Sequence, residues 1–170
     1  MTEARIVNEL CCSEAMFWDN LFFDAEFNRR LFLEELGFSG WRVLRQQEIS
    51  ADIVERELEV TPPIGDLPGP LRAIIGEGLS YRELGRFDRK RRRYAVKATS
   101  AKLGDRLLVE GELFTESIDE KRCQRIFAVN VRARIFGVGS LVEKRVIADM
   151  DQSYATSARF IAQYVNELAR

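Results

Sequence analysis

The sequence predicts an α+β fold in which an antiparallel sheet of about seven strands curves around one long C-terminal helix. Between residues 40 and 134 apolar side chains alternate with polar ones, a period typical of half-buried strands. No helix of crossover length is predicted between these strands, so we expect hairpins and an antiparallel order. From Gly137 to Arg170 apolar residues recur every three or four positions, which indicates a helix of about 45 Å.

The first part of the chain is expected to supply one strand and two short helices. The strand is expected at Ala4 to Cys11, where Ile6 and Val7 stand among polar residues. Ser13 and Asp24 are favourable N-cap residues, and Gly37 is a typical helix terminator. The two helices are therefore expected at Glu14–Phe22 and Ala25–Leu36. We expect this pair to support the sheet rather than to build a helical bundle.

Six further strands follow from the alternating pattern. They are expected at 41–46, 54–60, Leu79–Phe87, Arg92–Thr99, 107–113 and Gln124–Ile135. The second of them carries Glu55, Glu57 and Glu59 on one face. Because these carboxylates alternate with apolar residues, we expect them to form the wet side of the sheet.

All four prolines of the chain fall between Thr61 and Pro70, and a central strand cannot hold them. The sheet is therefore expected to be interrupted there. The next residues, Leu71–Ile75, are expected to form about one helical turn. Two interpretations stay open: a long loop packed against the sheet edge, or a gate over a ligand cavity, since long ordered loops are often lids.

The composition restricts the classes of function. The chain contains no histidine, which excludes Ser-His and Cys-His nucleophiles, a histidine base and the usual zinc sites. A formal net charge of −1 gives no general attraction to nucleic acid. Three cysteines, two of them adjacent, favour a reducing compartment over a disulfide framework.

Length and hydropathy lead to expectations about organisation and location. A chain of 170 residues is expected to form one ligand-binding domain, 1–170. No apolar run approaches the roughly 20 residues of a membrane span. The start, Met1–Arg5, lacks the features of a secretion signal. We therefore expect a cytoplasmic protein without a transmembrane segment.

Three motifs carry a family resemblance: Cys12–Trp18 with Phe23–Phe27, Asp66–Pro68 with Gly76–Tyr81, and Phe136–Glu143. With the predicted order of elements, they resemble the helix-grip fold of the START, birch-pollen-allergen and polyketide-cyclase (SRPBCC) superfamily, and within it a bacterial branch of unknown function. Ala25 stands where the superfamily usually has proline. The chain is also similar, more loosely, to sterol-binding VASt domains. The resemblance implies a deep pocket between sheet and long helix for lipids, sterols, polyketides or other apolar molecules.

The alternation of side chains along the strands and the 3.6-residue period of the helix place one mostly apolar set of residues on the inner faces of the sheet and the long helix. Apolar walls with a few tyrosine hydroxyls suit a lipid or aromatic ligand, and a methionine suits an adaptable site. For each residue alone, the alternative is a packed core. The candidate ligand-binding residues are Leu58, Val60, Tyr81, Tyr94, Val96, Phe127, Val129, Met150, Tyr154, Ala158 and Ile161. The short residues expected to leave space between them are Gly85, Ala95, Gly111, Ala155 and Ala158.

Two charged residues, Arg56 and Glu83, share the inward parity. A buried charge needs a partner, so these residues are candidate polar anchors or acid–base groups in the pocket. The basic run Arg86–Arg93 lies at a predicted turn. It is either a solvated hairpin tip or a contact with an anionic membrane surface. Because the run lacks interleaved aromatic residues, we do not expect nucleic-acid binding.

These observations favour a non-catalytic protein that binds or transfers an apolar small molecule, with no cofactor. The alternative is an enzyme of the polyketide cyclase/aromatase or hydratase kind, in which Tyr, Glu and Arg side chains of the same cavity orient a substrate and move protons. A third hypothesis is an interaction module whose cavity has closed into core.

Overall fold

The computed structural model describes residues 1–76 and 78–170; Glu77, which belongs to the Gly76–Tyr81 motif, lies outside the described residues. The strands are β1 (Thr2–Leu10), β2 (Gly40–Glu48), β3 (Ile53–Thr61), β4 (Tyr81–Asp88), β5 (Arg93–Ser100), β6 (Gly104–Asp119) and β7 (Arg122–Ala133). The α-helices are α1 (Ala25–Arg29), α2 (Gly69–Ile75) and α3 (Gly139–Leu168). Two π-helical segments lie at Met16–Leu21 and Arg30–Glu35.

The seven strands form one antiparallel sheet in the order β1-β7-β6-β5-β4-β3-β2. From β2 to β7 each strand pairs with the next along the chain, and β1 adds at the edge beside β7. The predicted α+β class, a curved antiparallel sheet of seven strands with a long C-terminal helix, is therefore confirmed.

The sheet has two ends with different connections. The hairpin end carries the turns 49–52, 89–92 and 120–121. The loop end carries segment 62–80, the turn 101–103 and the connection 134–138 between β7 and α3. Strand register places the three loop-end connections at the same end of the sheet, because Val60 pairs with Tyr81, Tyr81 pairs with Ser100, and Leu107 pairs with Ala133.

The helical pair before the sheet differs from the predicted pair of regular helices. The predicted caps are present: Ser13 Oγ accepts from the Met16 amide at 3.1 Å, and Asp24 Oδ1 accepts from the Phe27 amide at 2.7 Å. Each segment then widens into a π-helix, with amide-to-carbonyl bonds of 2.9 Å from Phe22 to Phe17 and from Leu36 to Leu31. A pattern of apolar spacing does not distinguish these wider turns from an α-helix.

Helix α3 is the longest element, with 30 residues. It lies against β1, β7 and the π-helical segment Arg30–Glu35. Gly139 opens the helix because a Cβ at that position would stand 2.4 Å from the carbonyl oxygen of Ala133. Its C-terminal half is fixed by Phe160 and Ile161, which are buried.

Segment 62–80 contains α2 instead of a single turn. Leu71 and Ile75 of this helix are buried, so their apolar side chains pack against the domain. Arg145 of α3 donates to the carbonyl oxygen of Asp66 at 2.7 Å, and this bond ties the segment to the long helix. Residues 62–76 thus cover the loop end of the sheet, an arrangement that fits both a packed loop and a gate.

Candidate functional site

Strand register places the predicted inward residues of the sheet on one face. Directly opposite residues of an antiparallel pair point to the same side. The chain of opposite pairs runs Leu58–Glu83, Arg56–Gly85, Gly85–Val96, Val96–Gly111, Gly111–Val129 and Leu113–Phe127. Because Phe127 stacks on Tyr154 of α3, with ring centroids 5.3 Å apart, this face is the one that looks toward the long helix.

The interior at the hairpin end is filled by aromatic rings. Trp18 and Phe22 come from the first π-helical segment and the residue after it, and Phe87 and Tyr94 come from the sheet. Trp18 stacks on Phe87 with centroids 4.6 Å apart, and Phe22 meets Tyr94 edge-on at 4.9 Å. This half of the interior is packed core.

Arg56 lies inside this aromatic cluster and is 6% exposed. Its guanidinium carbon stands 4.7 Å from the ring centroid of Phe22, 5.0 Å from that of Phe23 and 5.3 Å from that of Tyr94. Arg56 Nη1 donates to the carbonyl oxygen of Phe22 at 3.3 Å, and Nε donates to Tyr94 Oη at 3.4 Å. Ring faces and oxygen acceptors together replace the water that the buried cation has lost.

Tyr94 connects Arg56 to Glu83. Tyr94 Oη donates to Glu83 Oε1 at 3.0 Å, which completes a polar chain from cation to hydroxyl to carboxyl. Burial raises the pKa of Glu83, while the charge of Arg56 and the bond from Tyr94 act in the opposite direction. Burial also raises the pKa of Tyr94. The predicted pair of inward charges is therefore bridged by a tyrosine hydroxyl, and its carboxyl is set up to hold a proton more readily than an ordinary glutamate.

Several inward-pointing side chains between the sheet and α3 keep accessible surface. Tyr81 of β4 and Tyr154 of α3 are only half-buried. Among the described residues, neither hydroxyl has a hydrogen-bond partner, although burial raises the pKa of both. Interior groups that stay accessible indicate space that protein atoms do not fill. The half-buried inward residues are Val60, Tyr81, Glu83, Val96, Met150, Tyr154 and Ala158.

The remaining candidate residues are closely packed. They are Leu58, Tyr94, Phe127, Val129 and Ile161, each at most 5% exposed. Phe127 lies beneath Tyr154, and Tyr94 lies among the rings of the hairpin end. The structure thus divides the candidate set into a partly accessible group and a closely packed group. The two groups share rows of the sheet, because half-buried Val96 and buried Val129 both lie opposite Gly111.

Two glycines that were expected to leave space do not. A Cβ at Gly85 would stand 1.7 Å from Tyr94 Oη, so the tyrosine ring occupies the room above this glycine. A Cβ at Gly111 would stand 2.7 Å from Cε2 of Phe127. Ala95 points to the outer face, since its neighbours Tyr94 and Val96 point inward. Of the predicted small residues, Ala155 and Ala158 are half-buried on α3, and Ala158 packs against the core.

Arg125 is an interior cation that the sequence prediction missed. It is 4% exposed, and its guanidinium stands 4.5 Å from the ring centroid of Tyr154. Nη1 donates to Ser157 Oγ at 2.9 Å, and Nη2 donates to the carbonyl oxygen of Tyr154 at 2.8 Å. Burial lowers the pKa of Arg125. The signal was present in the sequence, because Arg125 has the same strand parity as Phe127 and Val129.

The basic run Arg86–Arg93 lies at the turn between β4 and β5, as predicted. Four of its charges form ion pairs on the surface: Arg86 with Glu55, Arg89 with Glu48, Lys90 with Asp52, and Arg93 with Glu112. Arg91 is exposed. Since most of the run is neutralised by neighbouring strands, the structure favours the solvated hairpin tip and gives no support to a membrane contact here.

Other kinds of site are not evident in the part of the chain that the structure describes. Residues 1–76 and 78–170 contain no cluster of three potential metal ligands. No helix within these ranges is long and apolar enough to cross a membrane. The three cysteines are free, with Cys11 exposed and both Cys12 and Cys123 buried.

Comparison with known proteins gives a family and a fold. A family model described as "Protein of unknown function (DUF2505)" matches residues 21–165. No curated protein sequence matches the chain.

Several solved structures are similar to this one over most of its length. A protein from Thermus thermophilus, TTHA0849, superimposes with a TM-score of 0.69 at 14% identity, covering 99% of this chain and 100% of that chain. The Zhui aromatase/cyclase from a Streptomyces species gives 0.67 at 10% identity, covering 99% and 96%. Norcoclaurine synthase from Thalictrum flavum gives 0.63 at 14% identity, covering 98% and 87%.

At these identities the likeness shows the fold alone. It confirms the helix-grip architecture that the sequence motifs suggested, and the similar structures include an aromatase/cyclase and norcoclaurine synthase. The comparisons do not show the looser similarity to VASt domains.

Proposed function

The chain belongs to the DUF2505 family. We propose that it binds or transfers an apolar small molecule without catalysis. The observation that carries the proposal is the group of inward side chains that stay accessible between β3–β5 and α3. Tyr81, Met150 and Tyr154 define it, with two hydroxyls that no described residue bonds. A surface of this kind, apolar with a few polar atoms, suits a lipid, sterol or polyketide-like ligand. Residues 1–170 would act as one ligand-binding domain.

Binding would be driven by removal of the ligand from water. Each methylene group buried is worth about 0.8 kcal/mol, so a ligand of modest size gains enough to bind without any charged contact. The hydroxyls of Tyr81 and Tyr154 and the carboxyl of Glu83 are the polar atoms that would fix its orientation. Because burial raises the pKa of Glu83, this carboxyl would be able to donate a hydrogen bond as well as accept one.

The ligand would enter at the loop end. Segment 62–80 covers this end through the buried residues Leu71 and Ile75, and its bond to Arg145 is the contact that has to open. The hairpin end offers no comparable route, because Trp18, Phe22 and Phe87 are stacked together there. Free thiols are consistent with the cytoplasmic location that we propose on the basis of the cysteine pattern.

Native mass spectrometry during titration with lipids, sterols and aromatic polyketides tests the proposal. Ala158→Trp places a large side chain among the half-buried residues of α3 and is expected to abolish uptake while far-UV circular dichroism stays unchanged. Gln152→Trp is the matched control, since Gln152 is exposed on the same helix. Uptake by the Ala158→Trp variant equal to that of the unmodified protein would contradict the proposal.

A second candidate function is favoured by one specific observation, the chain Arg56–Tyr94–Glu83. A carboxyl with a raised pKa, bonded to a tyrosine hydroxyl beside a buried cation, is an arrangement that can move a proton on a poly-carbonyl substrate. Two of the similar structures are an aromatase/cyclase and norcoclaurine synthase. The enzyme hypothesis predicts turnover of such a substrate that is lost in both Glu83→Gln and Tyr94→Phe. Turnover that survives both changes would remove these residues as acid–base groups.

A further inference from the structure

The connection between β7 and α3 presents one phenylalanine to solvent in a fixed position. The amide of Val138 donates to the carbonyl oxygen of Ile135 at 3.3 Å, and the amide of Gly139 donates to the same oxygen at 2.9 Å. Gly137 has φ +79°, the value that the third position of a type II turn requires. Phe136 occupies the second position of this turn, and its relative exposure is 105%, the highest of any large apolar residue described.

Further apolar surface lies beside the turn. A surface recess of about 540 Å³ lies there and is lined by Ile135, residues 137–141 and Lys144. Leu141, on the first turn of α3, is 41% exposed and lines the same recess as Ile135 and Val138. An exposed apolar patch of this kind marks an interaction site rather than a scattered surface residue.

Cationic side chains flank the turn. Arg134 and Lys144 are exposed on either side of Phe136, and Arg106 is held next to Arg134 because its carbonyl oxygen accepts from the Arg134 amide at 2.7 Å. None of the three forms an ion pair with another residue in the described ranges, in contrast to the paired charges of Arg86–Arg93. Asp105 is the acidic neighbour on the strand that carries Arg106.

From this geometry we infer that the β7–α3 turn is a membrane-docking tip, with Phe136 inserted among the acyl chains of an anionic bilayer and Arg134, Arg106 and Lys144 at its head groups. A convex tip with one protruding ring fits a fluid lipid surface better than a rigid protein groove. The cationic flank matches anionic head groups. The tip lies at the loop end, beside the proposed route into the interior, but the inference stands whether or not the interior holds a ligand.

Vesicle flotation with the full chain tests the inference. Vesicles of zwitterionic phospholipid are compared with an equal mixture of zwitterionic and anionic phospholipid, at low and at high salt. The protein is expected to float with the anionic vesicles and to be released by salt. Phe136→Ala is expected to lower its partition coefficient about tenfold or more, since that is the effect of withdrawing one large apolar side chain from lipid.

Matched variants separate the tip from general surface effects. Arg134→Gln with Lys144→Gln is expected to weaken binding to anionic vesicles and to reduce its salt dependence, with Arg106 left as the remaining cation of the tip. Leu84→Ala, which removes an apolar side chain that is 49% exposed on the outer face of β4, is expected to leave flotation unchanged. Arg91→Gln, at the hairpin end, is expected to do the same.

Depth of insertion can be read directly with Phe136→Trp. Its emission is expected to shift to the blue on addition of anionic vesicles, relative to the parent protein with Trp18 and Trp41 alone. The inference would be overturned by absence of flotation, by flotation that Phe136→Ala leaves intact, or by a larger loss in Arg91→Gln than in the tip variants. It would also be overturned if the chain formed dimers in solution that Phe136→Ala abolished.

Discussion

Tyr94 fills the space above Gly85, and this contact determines how much of the interior stays open. The tyrosine ring reaches across β4 only because residue 85 has no Cβ, and from there its hydroxyl bonds Glu83 and accepts from Arg56. One glycine therefore sets the position of the whole polar chain. The same replacement of space by a neighbouring ring occurs at Gly111 under Phe127.

Gly85→Ala is expected to destabilise the protein. A methyl group 1.7 Å from Tyr94 Oη has to displace the ring, and overpacking of this kind costs about 1–3 kcal/mol of the free energy of unfolding. Urea denaturation measures the change. Gly69→Ala is the matched control, because nothing lies within 4 Å of the added Cβ, and it is expected to leave the midpoint close to that of the parent. Equal midpoints for both variants would show that Tyr94 yields at no cost.

The buried carboxyl of Glu83 leads to a second prediction for a single residue, which concerns how stability depends on pH. Burial raises its folded-state pKa above the unfolded value of about 4.3. Its contribution to stability is therefore complete below that value and is lost as the pH rises through the folded-state pKa. Glu83→Gln does not titrate, so the free energy of unfolding of the variant minus that of the parent is expected to increase with pH across this window.

Glu26 provides a control of opposite sign for this experiment. Its hydrogen bond from Arg29 lowers its pKa, so its contribution to stability is lost as the pH falls. The difference for Glu26→Gln is expected to decrease with rising pH. A flat or decreasing difference for Glu83→Gln would mean that the carboxyl is not desolvated.

Among the secondary-structure elements, strand parity could be read from the sequence and helix geometry could not. Alternation placed Arg56, Glu83 and Tyr94 on the inner face correctly, because the side-chain period of a strand is two whatever its neighbours are. The π-helical turns at Met16–Leu21 and Arg30–Glu35 escaped prediction, since their hydrogen bonds differ by one residue from those of an α-helix and leave no distinct spacing.

The filled glycines and the buried Arg125 escaped prediction for a related reason. Parity tells which face a residue occupies, but not which neighbour's ring covers it. Gly85 and Gly111 were expected to leave room, whereas Tyr94 and Phe127 from the adjacent strands occupy it. The cation of Arg125 depends on Ser157, which lies 32 residues away in the sequence. Contacts of this range follow from the fold and not from local pattern.

Glu143 connects the secondary-structure elements α3, β1 and β7, and these contacts lead to a prediction about stability. It lies on the first turns of α3, accepts from Thr2 Oγ1 of β1 at 2.6 Å and accepts from the Ala133 amide of β7 at 2.9 Å. Glu143→Ala leaves that amide without an acceptor, which costs about 1–3 kcal/mol of the free energy of unfolding. Chemical denaturation measures it, with Glu110→Ala as control, since the exposed Glu110–Lys97 pair contributes at most about 1 kcal/mol. An equal loss of unfolding free energy in Glu143→Ala and Glu110→Ala would argue against a role of Glu143 in holding α3 to β1 and β7.

In the molecule as a whole, the interior is closely packed at the hairpin end and partly accessible between the sheet and α3. Rings from the first π-helical segment fill the space under the hairpins, and α3 rests on β1, β7 and the segment Arg30–Glu35. The docking turn with Phe136 lies at the loop end, whereas the accessible inward residues extend from Tyr81 at that end to Tyr154, which stacks on Phe127 in the same row as Tyr94. In the proposed function the long helix, predicted from its 3.6-residue period, forms one wall of the ligand site.

Methyl NMR of the three methionines measures the central claim most directly. Met150 faces the accessible interior, Met16 packs against the core in the first π-helical segment, and Met1 is 73% exposed at the chain start. Titration with an apolar ligand that native mass spectrometry shows to bind is expected to shift the Met150 signal to saturation and to leave Met1 and Met16 in place. An unchanged Met150 signal at full occupancy, or shifts confined to Met1 or Met16, would contradict a binding site between the sheet and the long helix.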